Sequence, residues 1–173
     1  MLRLHDYRKD SKILRTPGRN LTPEDINSDE FRQNLEDMKT ILEIDGVGLA
    51  APQAGWSVNL FMLCIDADDK KIEPQVFINP EILTYSKNQT KMEEGCLSFP
   101  GLYLPVKRPE SIKWRYMDLD GAVHELESKE FYARAIQHEV DHCQGRVFID
   151  RISTVTKMKV KKPHKESFYV DEK

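Results

Sequence analysis

The sequence predicts an α+β fold, with antiparallel β-sheets packed around one central helix and a second helix nearer the N-terminus. Three observations predict it. Glu130-Phe131-Tyr132-Ala133-Arg134-Ala135-Ile136 holds no Gly or Pro and reads as helix into Gln137-His138-Glu139-Val140-Asp141-His142. Several strand-like runs precede that helix without crossover helices between them, which argues against a parallel βαβ fold. Phe31, Leu35, Met38 and Leu42 recur at helical spacing well upstream. At 173 residues the chain suits one domain. Residues 1–152 are expected to form it, followed by a basic tail over residues 153–173.

Taken in order, residues 1–20 are expected as loop and edge, because Ile13-Leu14-Arg15-Thr16-Pro17-Gly18 ends in turn formers. Thr22-Pro23-Glu24-Asp25 starts a helix, with Thr as cap, Pro at the first helical position and acids in the first turn. That helix runs through Ile44, and Gly46 can end it. Its apolar stripe is core packing. Gly46-Val47-Gly48-Leu49-Ala50-Ala51-Pro52-Gln53 is dominated by small residues, which let another backbone approach closely. No Gly-Lys-Ser/Thr follows, so it is not a phosphate loop. Val58 to Ile65 reads as a strand, apolar nearly throughout. Gln75 to Pro80 and Glu81 to Tyr85 read as two more, broken at Pro80. Ser111 to Met117 alternates, and Asp120-Gly121 turns the chain into Ala122 to Leu126 as a hairpin. Beyond the central helix, Val147 to Ile152 returns to apolar packing. Lys157, Lys159, Lys161, Lys162 and Lys165 follow without an acid between them, and Pro163 limits any helix there.

Composition narrows the function classes. Hydrophobic residues make up 39% and charged residues 32%, which fits a folded globular chain rather than a disordered one. No apolar run approaches membrane-spanning length, so no membrane partner is expected. Net charge is −3, which gives no reason to expect DNA binding. Met1 to Asp10 has no apolar signal core, so a cytoplasmic location is expected. Cys64, Cys96 and Cys143 are an odd number at irregular spacing. That argues against a disulfide framework and leaves at least one thiol free as ligand or nucleophile.

The chemistry is concentrated in the helix. His138 and His142 are four residues apart and lie on one helical face. Two imidazoles so placed can hold one divalent metal, and Glu139 beside them can handle the proton of a bound water. Of five histidines, two fall at this spacing with Glu where the chemistry needs it. A catalytic site wants a third protein ligand and one open position. One large class of metalloproteases would place a third His where Phe148 stands, and another would use a Glu on a following helix. Glu166 sits in the basic tail beyond Pro163, so Cys96 is the best candidate.

With Cys96 included, the chain resembles peptide deformylases. Three blocks carry the resemblance in the family's order: Gly46-Val47-Gly48-Leu49-Ala50-Ala51-Pro52-Gln53, Glu94-Gly95-Cys96-Leu97-Ser98 and Gln137-His138-Glu139-Val140-Asp141-His142. Ile13-Leu14-Arg15 and Val106-Lys107-Arg108-Pro109 are also familiar for the family. The chain departs at Cys143, where Leu is usual, and in its tail. Cys143 is about 100° around the helix from His142, so it is expected to pack rather than bind.

The resemblance implies removal of the formyl group from the formyl-methionine of new polypeptides, with release of formate. It assigns the metal to Cys96, His138 and His142. The ion would be Fe(II) in the cell, with Zn(II), Ni(II) or Co(II) acceptable in preparations. Glu139 becomes the general base and then acid. The Gln53 amide and the Leu97 backbone N–H become donors to the developing oxyanion. Gly48 and Gly95 leave room for the peptide to lie along their backbone as an added strand. Val47, Met92, Leu97 and Ala135 would line an apolar slot for the methionine side chain, with the stem of Arg134 at its rim. Asp141 and Arg108 would pair to fix the metal-binding helix. The expected partners are formyl-methionyl nascent peptides and, through the basic tail, the ribosome. The alternatives are a metallopeptidase and a catalytically silent metal-binding homologue. Loss of Glu139, Gln53 or Cys96 would signal the latter, and all three are present.

Overall fold

A computed structural model describes residues 1–43, 46–64 and 73–152. The expected basic tail lies outside them, as do Ile44 and Ile65. The first helix, α1 (Tyr7–Leu14), falls where loop was expected. Asp6 caps it by accepting from the Arg8 N–H, a local signal that the turn formers downstream obscure. The single helix expected from Thr22 is two, α2 (Pro23–Ile26) and α3 (Asp29–Leu42). Thr22 and Asp25 form a reciprocal capping box at the first. Ser28 separates them: its hydroxyl donates to the Asp25 carbonyl and accepts from the Phe31 N–H, ending one helix and capping the next.

Among the described residues seven strands follow: β1 (Gly48–Ala50), β2 (Leu60–Leu63), β3 (Gln75–Tyr85), β4 (Gln89–Glu94), β5 (Leu104–Pro109), β6 (Ser111–Met117) and β7 (Val123–Lys129). Five of them make one antiparallel sheet in the order β1-β2-β3-β6-β7, and β4 pairs with β5 in a second. Asp118 to Ala122 closes the expected β6–β7 turn, with Gly121 at φ 81°. Pro80 does not break β3. The register steps from Ile78↔Met117 to Glu81↔Arg115, so one extra residue bulges out there. Asn79 takes φ 51° in that bulge, and its side chain both accepts from the Leu21 N–H and donates to the Leu21 carbonyl, each at 2.8 Å. A proline beside a bulge forfeits no ladder hydrogen bond. The second sheet was not expected. Gln89-Thr90-Lys91-Met92-Glu93-Glu94 lacks apolar alternation, and β5 carries Pro105 and Pro109. Such strands form because a two-stranded sheet has only edges.

The central helix, α4 (Glu130–Cys143), is as expected. Its Ala133, Ile136, Val140 and Cys143 pack on Phe61, Phe77, Ile112 and Trp114. Cys143 is buried there, as its helical angle requires. Leu60 and Met62, on the other face of β2, meet the Phe31, Leu35, Met38 and Leu42 stripe of α3. β2 is thus covered on both faces, which is why its sequence is uniformly apolar. Val147, Phe148 and Ile152 close a third cluster with Phe99, Leu102 and Val106.

Asn79→Ala removes both bonds to Leu21 and puts a Cβ-bearing residue without that compensation at positive φ. We expect a loss of about 2–3 kcal/mol. Asn79→Gly loses the bonds but not the backbone fit, so it should cost less. Chemical denaturation of the two variants checks the order.

Candidate active site

The face of α4 turned away from the sheet carries Phe131, Arg134, Ala135, His138, Glu139 and His142, at helical spacing. The His138 and His142 rings stand 5.0 Å apart. Cys96 comes to them from the loop after β4. One donor atom from each of Cys96, His138 and His142 lies within 4.8 Å of the others, and Cys96 Sγ is 3.2 Å from His142 Nε2. The expected ligand set is therefore brought together from two distant parts of the chain. A thiolate and two imidazoles suit a divalent transition metal. The His138 Nδ1 lies 3.1 Å from a Glu94 carboxylate oxygen, which favours the proton there and leaves Nε2 as the nitrogen that could take a metal.

Electrostatics fit the same reading. Burial pulls the His138 imidazole down, but hydrogen bonds to Cys96 and Glu94 outweigh it and hold it up to about 10. A metal bound at that ring would have to displace this proton. Burial keeps His142 well below its ordinary value, with the His138 charge adding to the effect, so its ring is neutral. Burial raises the Glu139 carboxyl to about 7, against the pull of His138 and Arg108. Its Oε2 is buried and has no partner among the described residues. A carboxylate oxygen left so costs free energy unless something binds there.

Gln53 sits on a short 3₁₀ turn, Ala51–Ala54, after β1. Its Oε1 accepts from the Ala50 N–H at 2.9 Å, which orients the amide. Its Nε2 points to Cys96 Sγ at 3.4 Å and Ser98 Oγ at 3.2 Å. Among the described residues nothing accepts from the Leu97 backbone N–H. Gly48 has a role beyond the expected one: a Cβ there would lie 2.5 Å from Glu139 Oε1. At Gly95 a Cβ would meet the Tyr103 ring at 2.5 Å.

Beneath the ligands lies a buried charge cluster. Glu94 accepts from Arg108 Nε at 2.7 Å and Nη2 at 2.9 Å, from Arg134 Nη1 at 2.6 Å, and bonds His138. The expected Arg108–Asp141 pair is present at 2.7 Å, and Arg151 bonds Asp141 as well. Burial alone would raise the Glu94 carboxyl, yet the bonds from His138 and Arg108 hold it well below the usual carboxylate range. Glu94 as hub was missed in the sequence, where it opens the Glu94-Gly95-Cys96-Leu97-Ser98 block but shows no partner for its charge.

A cleft of about 430 Å³ opens over the donors, lined by Val47, Gly48, Leu97, Ala135 and Arg134 among others. Met92 is not in it. Along β4 the lining starts at Glu93, one residue beyond Met92. Arg134 lines the cleft but is buried, with its guanidinium turned to Glu94, the Thr90 carbonyl and the Val106 carbonyl. Phe131, Phe99, Leu102 and Tyr103 also line it and were missed. Phe131 was findable, being three and four residues before Arg134 and Ala135 on one helical face.

A family model described as "Polypeptide deformylase" matches residues 3–158. A peptide deformylase of Prochlorococcus marinus (strain MIT 9515) is 36% identical over 156 residues, covering 90% of this chain and 76% of that one. Peptide deformylase 1 of Nostoc sp. (strain PCC 7120) is 41% identical over 142 residues, covering 82% and 74%. The crystal structure of a Synechococcus elongatus peptide deformylase in complex with actinonin superposes with a TM-score of 0.83 at 36% identity, covering 98% of this chain and 89% of that one.

Glu94→Gln should lower stability at pH 7 by about 3–5 kcal/mol, because it leaves Arg108 and Arg134 buried beside a neutral amide. The Glu94 carboxyl is depressed in the folded state, so its contribution is complete above the unfolded value of about 4.3. It is lost as pH falls further through the lower folded value. Unfolding curves of the two proteins should therefore converge as pH drops below about 4.

Proposed function

We propose roles for the site residues from one premise: this chain belongs to the polypeptide deformylase family. It is a hydrolase that removes the formyl group from the N-terminal formyl-methionine of new polypeptides and releases formate. Its family and its Cys96-His138-His142 group support a single metal ion. The observation that carries the residue roles is the convergence of those three donors beside a buried, unpartnered Glu139 oxygen.

Cys96, His138 and His142 would hold the ion, with Fe(II) as the cellular metal. A divalent ion held there supplies Lewis acidity, drawing the pKa of water toward neutrality and polarising the formyl oxygen. Glu139 takes the proton of the attacking water as oxygen bonds to the formyl carbon. It then returns that proton to the methionine nitrogen as the C–N bond breaks, leaving formate and a free amine. A carboxyl with its pKa near neutral suits both halves of that exchange. Gln53 Nε2 and the Leu97 N–H donate to the oxyanion that develops between the two steps. The substrate backbone lies extended between Gly48 and Gly95. Val47, Leu97, Ala135 and the newly found Phe131 receive the methionine side chain. Action in the cytoplasm, and contact with the ribosome through the lysine-rich tail, belong to the same reading. A metallopeptidase is disfavoured by Phe148, which packs 6.0 Å from the His138 ring and offers no ligand.

Ligand and base should separate cleanly by mutation. Glu139→Ala should keep about one metal per chain while formate release from formyl-Met-Ala falls at least 10²–10⁴-fold, roughly the worth of a lost general acid/base. Cys96→Ala should lose metal and activity together. Metal analysis after anaerobic purification, where iron should predominate, checks both. A Cys96→Ala protein that retains full metal would overturn the ligand set.

Formyl-Asp peptides should be cleaved with lower kcat/KM than formyl-Met peptides, by about 10–200-fold for an apolar pocket refusing a poor fit. Equal efficiency would show that the slot is misassigned.

A further inference from the structure

The first seven residues tie together the two segments that carry the oxyanion donors. The Arg3 N–H donates to the Ala54 carbonyl at 3.3 Å, the His5 N–H to Gln53 at 2.8 Å, and the Tyr7 N–H to Ser98 at 2.9 Å. Donation from alternate residues is the habit of an extended chain laid along its acceptors. Gln53 supplies the amide of the site. Ser98 follows Leu97, and its hydroxyl accepts from that same amide. One strap thus grips the backbone of both donor segments from the side away from the cleft, and none of residues 3–7 lines the cleft itself.

The strap is anchored along its length. Near its start, the Leu2 N–H donates to Asp37 on α3 at 2.7 Å. In its middle, the buried His5 ring lies against Gly55, where a Cβ would come within 2.7 Å of Nε2, and its Nδ1 is 2.9 Å from an Asp10 carboxylate oxygen. At its end, Tyr7 stacks on Phe99 with ring centroids 4.5 Å apart, and its hydroxyl accepts from Arg15 Nη2 at 3.0 Å. Arg15 in turn pairs with Asp150, just beyond the metal-binding helix. The Tyr7 stack therefore presses on the loop that contains both Leu97 and Ser98.

We infer that residues 3–7 are a positioning strap for deformylation, with Tyr7 as its key side chain, setting the Gln53 amide and the Leu97 N–H at their working separation. This rests on the oxyanion roles proposed for Gln53 and Leu97. Donors that meet charge only in the transition state act on turnover and hardly at all on ground-state binding. A small loosening of their spacing is therefore read in kcat.

The test compares Tyr7→Ala, Tyr7→Phe, Gln53→Ala and the Tyr7→Ala/Gln53→Ala double variant, as metal-loaded full-length proteins hydrolysing formyl-Met-Ala. Rates are expressed per bound metal. Tyr7→Ala should lose about tenfold in kcat, with KM within about twofold and metal still near one per chain. Tyr7→Phe keeps the stack on Phe99 and should stay near wild type. Because the strap acts through Gln53, the double variant should fall little below Gln53→Ala alone, so the two losses do not add. If Tyr7→Ala does not fold, Tyr7→Leu carries the same comparison. Unchanged kcat per metal in the Tyr7 variant, or losses that simply multiply in the double variant, would overturn the inference. A Gln53→Ala protein with wild-type kcat would instead overturn the oxyanion roles, and the strap's purpose with them.

Discussion

Everything in the site depends on one buried carboxylate. Glu94 ends β4 and receives Arg108 from β5 and both Arg134 and His138 from α4. A lone carboxylate so buried would protonate or pull water in. Three donor side chains make its charge tolerable, and in doing so they join the small sheet to the central helix. The same bonds set the His138 tautomer and hold Cys96, two residues on, at the end of a fixed strand. Arg108 repeats the logic toward Asp141, so the helix is gripped one turn apart on the face that carries its imidazoles. Replacing the cluster with apolar side chains could leave stability intact, since buried ion pairs often do no better than hydrophobic packing. What such a replacement would lose is the fixed orientation of the ligands.

Small residues make the rest of the geometry reachable. Gly48 lets Glu139 pass close to the β1 backbone, and the Ala-rich turn after it lets Gln53 fold back onto Cys96. At Gly48 a single Cβ would block the approach.

Outside this inner set, the chain termini of the described domain close over its back. Residues 1–15 cross behind the Gln53 turn and the Cys96 loop, and Phe99, Phe148 and Ile152 seal the space beneath them. The loops that bear the donors are therefore packed on both sides, although each is irregular in itself. Loops held between rigid elements can keep the sub-ångström tolerances that catalysis needs.

By itself the sequence determined the α+β class, the α4 helix, the apolar β2 and the pairing of His138 with His142 beside Glu139. These follow from local periodicity, which a chain carries wherever it folds. By elimination it also left Cys96 as the best candidate for a third ligand. Only the tertiary structure decided which residues surround that set. β4 lacks apolar alternation and β5 carries two prolines, and Glu94 and Arg108 join the pair to the helix. Met92 belongs by sequence to the neighbourhood of Cys96, yet it stands outside the cleft, while Phe131 stands inside it. Residues 1–20 read as loop and edge because turn formers dominate their end, and the use of residues 3–7 as a strap appears only when Gln53, Ala54 and Ser98 arrive to accept their N–H groups. The difference is physical: periodicity and capping act between neighbours in the chain, whereas burial of a charge and satisfaction of backbone donors depend on partners tens of residues away.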